Sequence, residues 1–91
     1  MEFIYRVHAI KRMFERDIEE LEVEDIVKSG EVIEEYIDDK PYPSYLSLGF
    51  INNAPLHVVY AKDYEGNIII ITTYRPTLQK WENDFKTRKA Q

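Results

Sequence analysis

The chain contains one stretch that is apolar and β-branched on both faces, Ile68-Ile69-Ile70-Ile71-Thr72-Thr73-Tyr74. β-Branched and aromatic side chains favour strands, and a strand that is apolar on both faces is typical of the covered centre of a sheet. The turn residues Asp63 to Asn67 come directly before it, and a second strand, Leu56 to Ala61, comes before that turn. We therefore expect residues 68–74 to be the central strand of a mostly antiparallel sheet.

Two further strands are predicted before this pair. Residues 46–50 alternate between large apolar and small side chains, which is typical of a strand with one buried face. Asn52-Asn53 predicts a hairpin turn after it, because asparagine tolerates positive φ. Val32 to Ile37 contains polar residues that favour an edge position. The sheet is thus predicted to have four strands.

Helical spacing occurs at both ends of the chain. Apolar residues recur at i, i+3 and i+7 near the N-terminus, with Met13 beside them, at Val7, Ile10 and Phe14. The same spacing recurs near the C-terminus at Leu78, Trp81 and Phe85. Each set predicts an amphipathic helix whose apolar stripe packs against a core.

A second N-terminal helix follows the first. A capping box predicts that it begins at Asp17 or at Glu19, and Gly30 is expected to end it in a left-handed conformation. The two helices then form a hairpin. The predicted fold is α+β, with an N-terminal helical hairpin, a four-stranded mostly antiparallel sheet and a C-terminal helix.

Composition limits the classes of protein to which the chain can belong. Its 91 residues predict a single domain over 1–91. Because the chain has no cysteine, it can form no disulfide and no thiolate metal site. This favours a reducing, cytoplasmic location. No signal peptide or membrane span is expected, and the spacing of histidines and carboxylates predicts no metal site or cofactor.

The net charge of −5 is unevenly distributed along the sequence. Residues 1–16 hold four bases and two acids, residues 17–39 hold eleven acids and one base, and residues 40–91 hold seven bases and four acids. A uniformly acidic surface would repel nucleic acid, whereas here the two ends could form a basic face. The acidic segment 17–39 is expected to be solvated.

Two histidines are the candidates for acid–base chemistry near neutral pH. His8 precedes Arg12 and Arg16 at four-residue intervals on one helix flank, and His57 interrupts an apolar strand. Arginine can bind phosphate oxygens and stabilise charge in a transition state, but these arginines could instead pair with the acidic second helix. His57 could equally be a hydrogen-bonded core residue, since a buried polar group needs a partner.

Tyr74 and Arg75 stand where a strand ends and a loop begins, a usual position for functional groups. An imidazole, a phenol and a guanidinium can cleave RNA without a metal: a base takes the ribose 2′-OH proton, an acid protonates the 5′-oxygen and arginine balances the phosphorane charge. A strand aromatic and a surface charge are the alternative interpretations of these two residues.

Motifs along nearly the whole chain resemble a family of small microbial proteins, the domain of unknown function 4258. They are His8-Ala9-x-x-Arg12-Met13-x-x-Arg16-x-Ile18, Gly30-Glu31-x-Ile33-Glu34-x-Tyr36, Pro41-x-Pro43, Leu48-Gly49, Pro55-Leu56-His57-Val58-Val59, Ile71-Thr72-Thr73-Tyr74-x-Pro76 and Trp81-x-x-Asp84-Phe85. The predicted order of elements is also similar to the RelE/BrnT toxins, which are metal-independent ribonucleases of toxin–antitoxin pairs. That second resemblance implies one cleft lined by His8, Arg12, His57, Tyr74 and Arg75. The acidic pI of about 5.0 departs from the basic character of such toxins.

Two functions follow as hypotheses. The first is a ribonuclease toxin with RNA as substrate and an antitoxin as partner, in which His8 or His57 is the general acid or base. In it Tyr74 orients the scissile phosphate, which is bound by Arg12, Arg16 and Arg75. The second is a non-enzymatic interaction module that docks a basic partner on the acidic segment, or forms a homodimer through the exposed strand at residues 32–37.

Overall fold

The computed structural model describes residues 1–90, which form two helices and five strands. In chain order the elements are β1 (Phe3–Tyr5), α1 (Val7–Arg16), α2 (Glu20–Ser29), β2 (Glu31–Tyr36), β3 (Ser44–Ile51), β4 (Ala54–Lys62) and β5 (Ile68–Tyr74). The strands form one mixed sheet in the order β1-β5-β4-β3-β2. Neither helix in this part of the chain has the length and apolar composition needed to cross a membrane.

The predicted four-stranded sheet is wrong, although the fold class is α+β. The sequence-based prediction missed β1, which pairs in parallel with β5 and makes the sheet mixed. Three residues are too short to show an alternating pattern, and helix α1 begins two residues later. β5 is an interior strand as expected, but β4 is the central one and β5 lies between it and β1.

The predicted C-terminal helix is also wrong, because no helix forms between residues 76 and 90. Asp84 accepts hydrogen bonds from the backbone N–H groups of Lys86 and Thr87, and Phe85 adopts a left-handed φ of 57°. Such Asx turns compete with helical hydrogen bonding, so the apolar spacing alone did not determine the structure. We refer to residues 76–90 as the C-terminal segment.

The hairpin between β3 and β4 confirms the prediction made from Asn52-Asn53. Both asparagines have positive φ, 51° and 67°, and Ile51 pairs with Ala54 across the turn. Strand β2 lies at one edge of the sheet, which confirms the edge position expected for this segment.

Both helices cover the same face of the sheet. Their buried residues include Ala9, Met13 and Val23, and they pack against Val58 and Ile70 of the central strands. The stripe that was expected to face this core is not the buried one. Val7, Ile10 and Phe14 are exposed instead. Ala9 and Met13, four residues apart, face the sheet because β1 leads directly into α1 and fixes the orientation of the helix.

The ends of α2 differ in part from the prediction. Of the two expected positions for the capping box, the structure has the one formed by Glu19 and Glu22. Asp17 instead takes a left-handed conformation at the end of α1. Gly30 is not left-handed, since its φ is −77°. A Cβ there would lie 2.6 Å from the carbonyl oxygen of Ile26 and 2.7 Å from that of Leu48, so glycine allows a close approach.

Candidate functional site

His57 is fully buried on the sheet face opposite the helices, beneath the C-terminal segment. Its Nε2 lies 2.8 Å from the carbonyl oxygen of Phe85, and its Nδ1 lies 3.2 Å from the hydroxyl of Tyr74. The Trp81 ring packs edge-on against the imidazole, with the ring centroids 4.6 Å apart. The expected need of His57 for hydrogen-bond partners is therefore met by one strand neighbour and one distant carbonyl.

These contacts determine where the protons lie. A carbonyl oxygen only accepts, so Nε2 of His57 carries a hydrogen and donates it to Phe85. Burial lowers the pKa of His57, against the opposing effects of the Phe85 carbonyl and the Glu34 carboxylate, so the ring is neutral at pH 7. Nδ1 is then an acceptor and Tyr74 donates its hydroxyl hydrogen to it. Burial also raises the pKa of Tyr74, which keeps that hydrogen in place.

Tyr74 lines a cleft of about 640 Å³ between α1, the end of β5 and the C-terminal segment. Its other lining residues include Thr72, Thr77 and Trp81. Five of them are cationic, namely Arg12, Arg16, Arg75, Lys80 and Arg88. No carboxylate lines the cleft within the described residues 1–90. The two basic ends of the sequence thus meet in one concave surface.

Three of the five cations have partners within the chain. Arg12 pairs with Glu15 of its own helix at 2.8 Å, not with the acidic second helix. Arg75 donates to the carbonyl oxygens of Arg16 and Asp17, which satisfies acceptors at the C-terminal end of α1.

Arg88 is the third paired cation. It binds both carboxylate oxygens of Glu34, at 2.9 and 3.1 Å, and this contact keeps the pKa of Glu34 below its usual value. Tyr36 also donates to Glu34, and burial together with that carboxylate raises the pKa of Tyr36 to about 12. Arg16 and Lys80 have no side-chain partner among residues 1–90, so they are the cations free to bind an anion.

The structure brings together most of the residues predicted for the site. Arg12, Arg16, Tyr74 and Arg75 line the cleft, and His57 lies directly behind Tyr74. His8 is exposed on α1 and is not among the lining residues, and its catalytic role stays a prediction.

The wall that the C-terminal segment contributes to the cleft was not predicted from the sequence. Lys80, Trp81 and Arg88 reach the cleft through a loop in which Glu82 and Thr87, and Lys80 and Lys89, are joined by backbone hydrogen bonds. The only signal in the sequence was the excess of bases in its last half. Within residues 1–90 no group of three or more histidine or carboxylate side chains is arranged to hold a metal ion.

Comparison with known families gives one result. The family model described as "Domain of unknown function (DUF4258)" matches residues 5–75, so the chain belongs to this family. The match includes Arg12, Arg16, His57, Tyr74 and Arg75, and it ends where the C-terminal segment begins. Comparisons with curated proteins and with solved structures give no significant match.

Proposed function

We propose that this member of the DUF4258 family binds single-stranded RNA in the cationic cleft and cleaves it with its own side chains, without a metal. The observation that carries the proposal is a cleft lined by Tyr74 and five cations, on a chain whose net charge is −5. Two of these cations, Arg16 and Lys80, have no carboxylate partner within residues 1–90, and like charges held close together are costly unless an anion binds to them. The acidic remainder of the surface would repel RNA and so direct it to this cleft.

Binding would depend on the two unpaired cations and on the exposed parts of the paired ones. Arg16 and Lys80 would contact phosphate oxygens directly. Arg12 can exchange its contact with Glu15 for one with phosphate at small cost, because that ion pair is exposed. Arg75 is held by the end of α1 and would act through its charge.

The proposed reaction uses Tyr74 as the group that touches the ribose. The 2′-oxygen attacks the adjacent phosphorus and passes its proton to the Tyr74 oxygen, while the Tyr74 hydrogen moves to Nδ1 of His57. The P–O5′ bond breaks, and the 5′-oxygen takes a proton from water in the open cleft. The products are a 2′,3′-cyclic phosphate and a 5′-hydroxyl. The extra proton then returns from His57 through Tyr74 to solvent.

His57 would act behind Tyr74 as a proton acceptor that never meets the substrate. Its lowered pKa keeps it neutral and able to accept at pH 7. The carbonyl of Phe85 and the carboxylate of Glu34 would stabilise the imidazolium that forms for an instant, much as a buried acceptor orients the histidine of other relays. Such an enzyme would be toxic to its own cell, so we include in the proposal an antitoxin protein that blocks the cleft.

The test is cleavage of a labelled RNA oligonucleotide by the purified chain in EDTA. The wild type should give 2′,3′-cyclic phosphate ends, and Tyr74→Phe should cut at least about 100-fold more slowly. Arg16→Gln should weaken RNA binding about threefold to tenfold. Tyr64→Phe and Lys40→Gln, which alter exposed residues that do not line the cleft, are the matched controls and should behave as wild type.

A matched oligonucleotide with 2′-deoxyribose at every position provides the substrate control. It should bind in the cleft and stay intact, since it lacks the attacking oxygen. Cleavage that Tyr74→Phe leaves unchanged, or an absence of both binding and cleavage at low salt, would overturn the proposal. The latter result would leave the second hypothesis, a non-enzymatic interaction module.

A further inference from the structure

The outward face of α1 carries an apolar stripe that no part of residues 1–90 covers. Val7, Ile10 and Phe14 follow one another at i, i+3 and i+7, and 83%, 54% and 89% of their surfaces are exposed. Leu21, in the first turn of α2, is 73% exposed. Isolated exposed apolar residues are ordinary, but a periodic row of them on one helix marks an interaction surface. We call Val7, Ile10 and Phe14 the apolar stripe.

The apolar stripe is distinct from the cleft. Arg12 and Arg16 project from the opposite flank of α1, and no residue of the apolar stripe lines the cleft. A molecule seated on the stripe therefore need not compete with RNA. The inference does not depend on the proposed nuclease function, and its test can succeed or fail separately.

The charged side chains next to the exposed apolar residues differ in sign between the two helices. On α1, Lys11 lies four residues after Val7 and three before Phe14, so a cation stands next to the apolar row. On α2, Glu20 and Asp25 are exposed beside Leu21. The two helices that cover this side of the sheet thus carry exposed charges of opposite sign next to their exposed apolar residues.

We infer that a second copy of this chain covers the apolar stripe. A two-fold axis that runs between the helices would place α1 of one copy across from α2 of the other, and the reverse. The apolar residues would then meet in the middle, while Lys11 faces the acidic side of the partner's second helix. Pairing of α1 with its own counterpart would instead bring two cationic helices together. Pairing of α1 with the partner's second helix about a two-fold axis uses the same surface of both copies. It therefore gives a dimer and not a filament.

The experiment is sedimentation equilibrium of the full chain over micromolar to hundreds of micromolar concentrations. The wild type should form a dimer. Ile10→Glu and Phe14→Glu should each weaken dimerisation at least about tenfold. Ile37→Glu is the matched control, because Ile37 is 62% exposed outside the stripe, and it should dimerise as wild type does. Equal thermal unfolding of the three variants at low concentration would show that each folds.

A charge exchange tests the arrangement itself. Lys11→Glu should weaken the dimer about threefold to tenfold, Asp25→Lys should do the same, and the double variant should recover most of the loss. A wild type that stays monomeric throughout, including one that binds vesicles of anionic lipid, overturns the inference. A dimer that both Ile10→Glu and Phe14→Glu leave intact also overturns it.

Discussion

At the scale of single residues, His57 connects three parts of the chain that are far apart in sequence. It belongs to β4, accepts from Tyr74 of β5 and donates to Phe85 in the C-terminal segment. Thr73 also donates to the His57 carbonyl oxygen at 2.7 Å. No buried side-chain polar atom in residues 1–90 lacks a hydrogen-bond partner. The imidazole therefore fills space in the packed interior and also accepts the hydrogen of the Tyr74 hydroxyl.

We expect His57→Ala to lower the free energy of unfolding by about 2–4 kcal/mol, because it leaves a cavity and removes both ring hydrogen bonds. Urea denaturation of the purified variant measures this. His8→Ala is the matched control, since His8 is exposed on α1, and it should change stability by no more than about 0.5 kcal/mol. A loss below 1 kcal/mol for His57→Ala would contradict the role given to the ring.

The stability of the fold should also depend on the protonation of His57. Burial lowers its pKa in the folded state, so below the ordinary value of about 6.5 the unfolded chain binds more protons. The stabilising contribution of the neutral His57 ring is therefore fully present above about pH 6.5, the ordinary pKa. The free energy of unfolding then falls as the pH decreases from about 6.5 towards the pKa of His57 in the folded state.

Denaturation at pH 7 and at pH 5.5 tests this, since carboxylates with lowered pKa values such as Glu34 titrate at more acidic pH. The wild type should be less stable at pH 5.5, and His57→Gln should lose most of that difference. A wild type that is equally stable at both values would refute the neutral, buried state of the ring.

At the scale of elements, the C-terminal segment was the hardest part to predict. Its apolar residues have helical spacing, yet Trp81 is buried against His57 and pairs with Arg88, whose guanidinium lies 4.6 Å from the indole centroid. The Asx turn at Asp84 is local, but His57, which contacts both the Trp81 ring and the Phe85 carbonyl, lies on β4. Periodicity within a short segment carries no information about such distant partners.

The sole tryptophan makes this segment observable. Trp81 is 2% exposed, so we expect blue-shifted fluorescence that iodide quenches poorly. Asp84→Ala removes the acceptor that closes the turn and should increase quenching of Trp81. Glu82→Ala, whose side chain is exposed in the same loop, is the control. Strong quenching in the wild type would show that the segment does not cover the sheet.

Helix α1 shows what amphipathic spacing could and could not predict. The spacing of Val7, Ile10 and Phe14 correctly predicted a helix, but the helix faces the sheet with Ala9 and Met13. The strand before it fixes that orientation, and β1 was too short to be recognised. Strands β2 to β5 were predictable because alternation and turn residues are local properties. Their order in the sheet was not, since it depends on pairing across the molecule.

At the scale of the whole molecule, the uneven distribution of charge along the sequence becomes an uneven distribution of charge over the surface. Bases from both ends of the chain line one cleft with Tyr74: Arg12 and Arg16 from the N-terminal part, and Arg75, Lys80 and Arg88 from the C-terminal part. The acids of residues 17–39 lie mostly on α2 and β2, and none of them lines this cleft, although Glu34 of β2 binds the lining residue Arg88. Charge counting predicted that a basic face could form. It could not predict that Lys80 and Arg88 would join it, because the loop that carries them was expected to be a helix.

The most direct measurement of the central claim is a titration of the ¹⁵N-labelled chain with a short single-stranded RNA at low salt, followed by amide chemical shifts. We expect progressive shifts at Arg16, at Tyr74 to Lys80 and at Arg88, with none on the acidic outer face of α2. Salt should reverse them, because phosphate contacts release counterions. Shifts that cluster away from the cleft, or a spectrum that RNA leaves unchanged, would contradict the binding of RNA in the cleft.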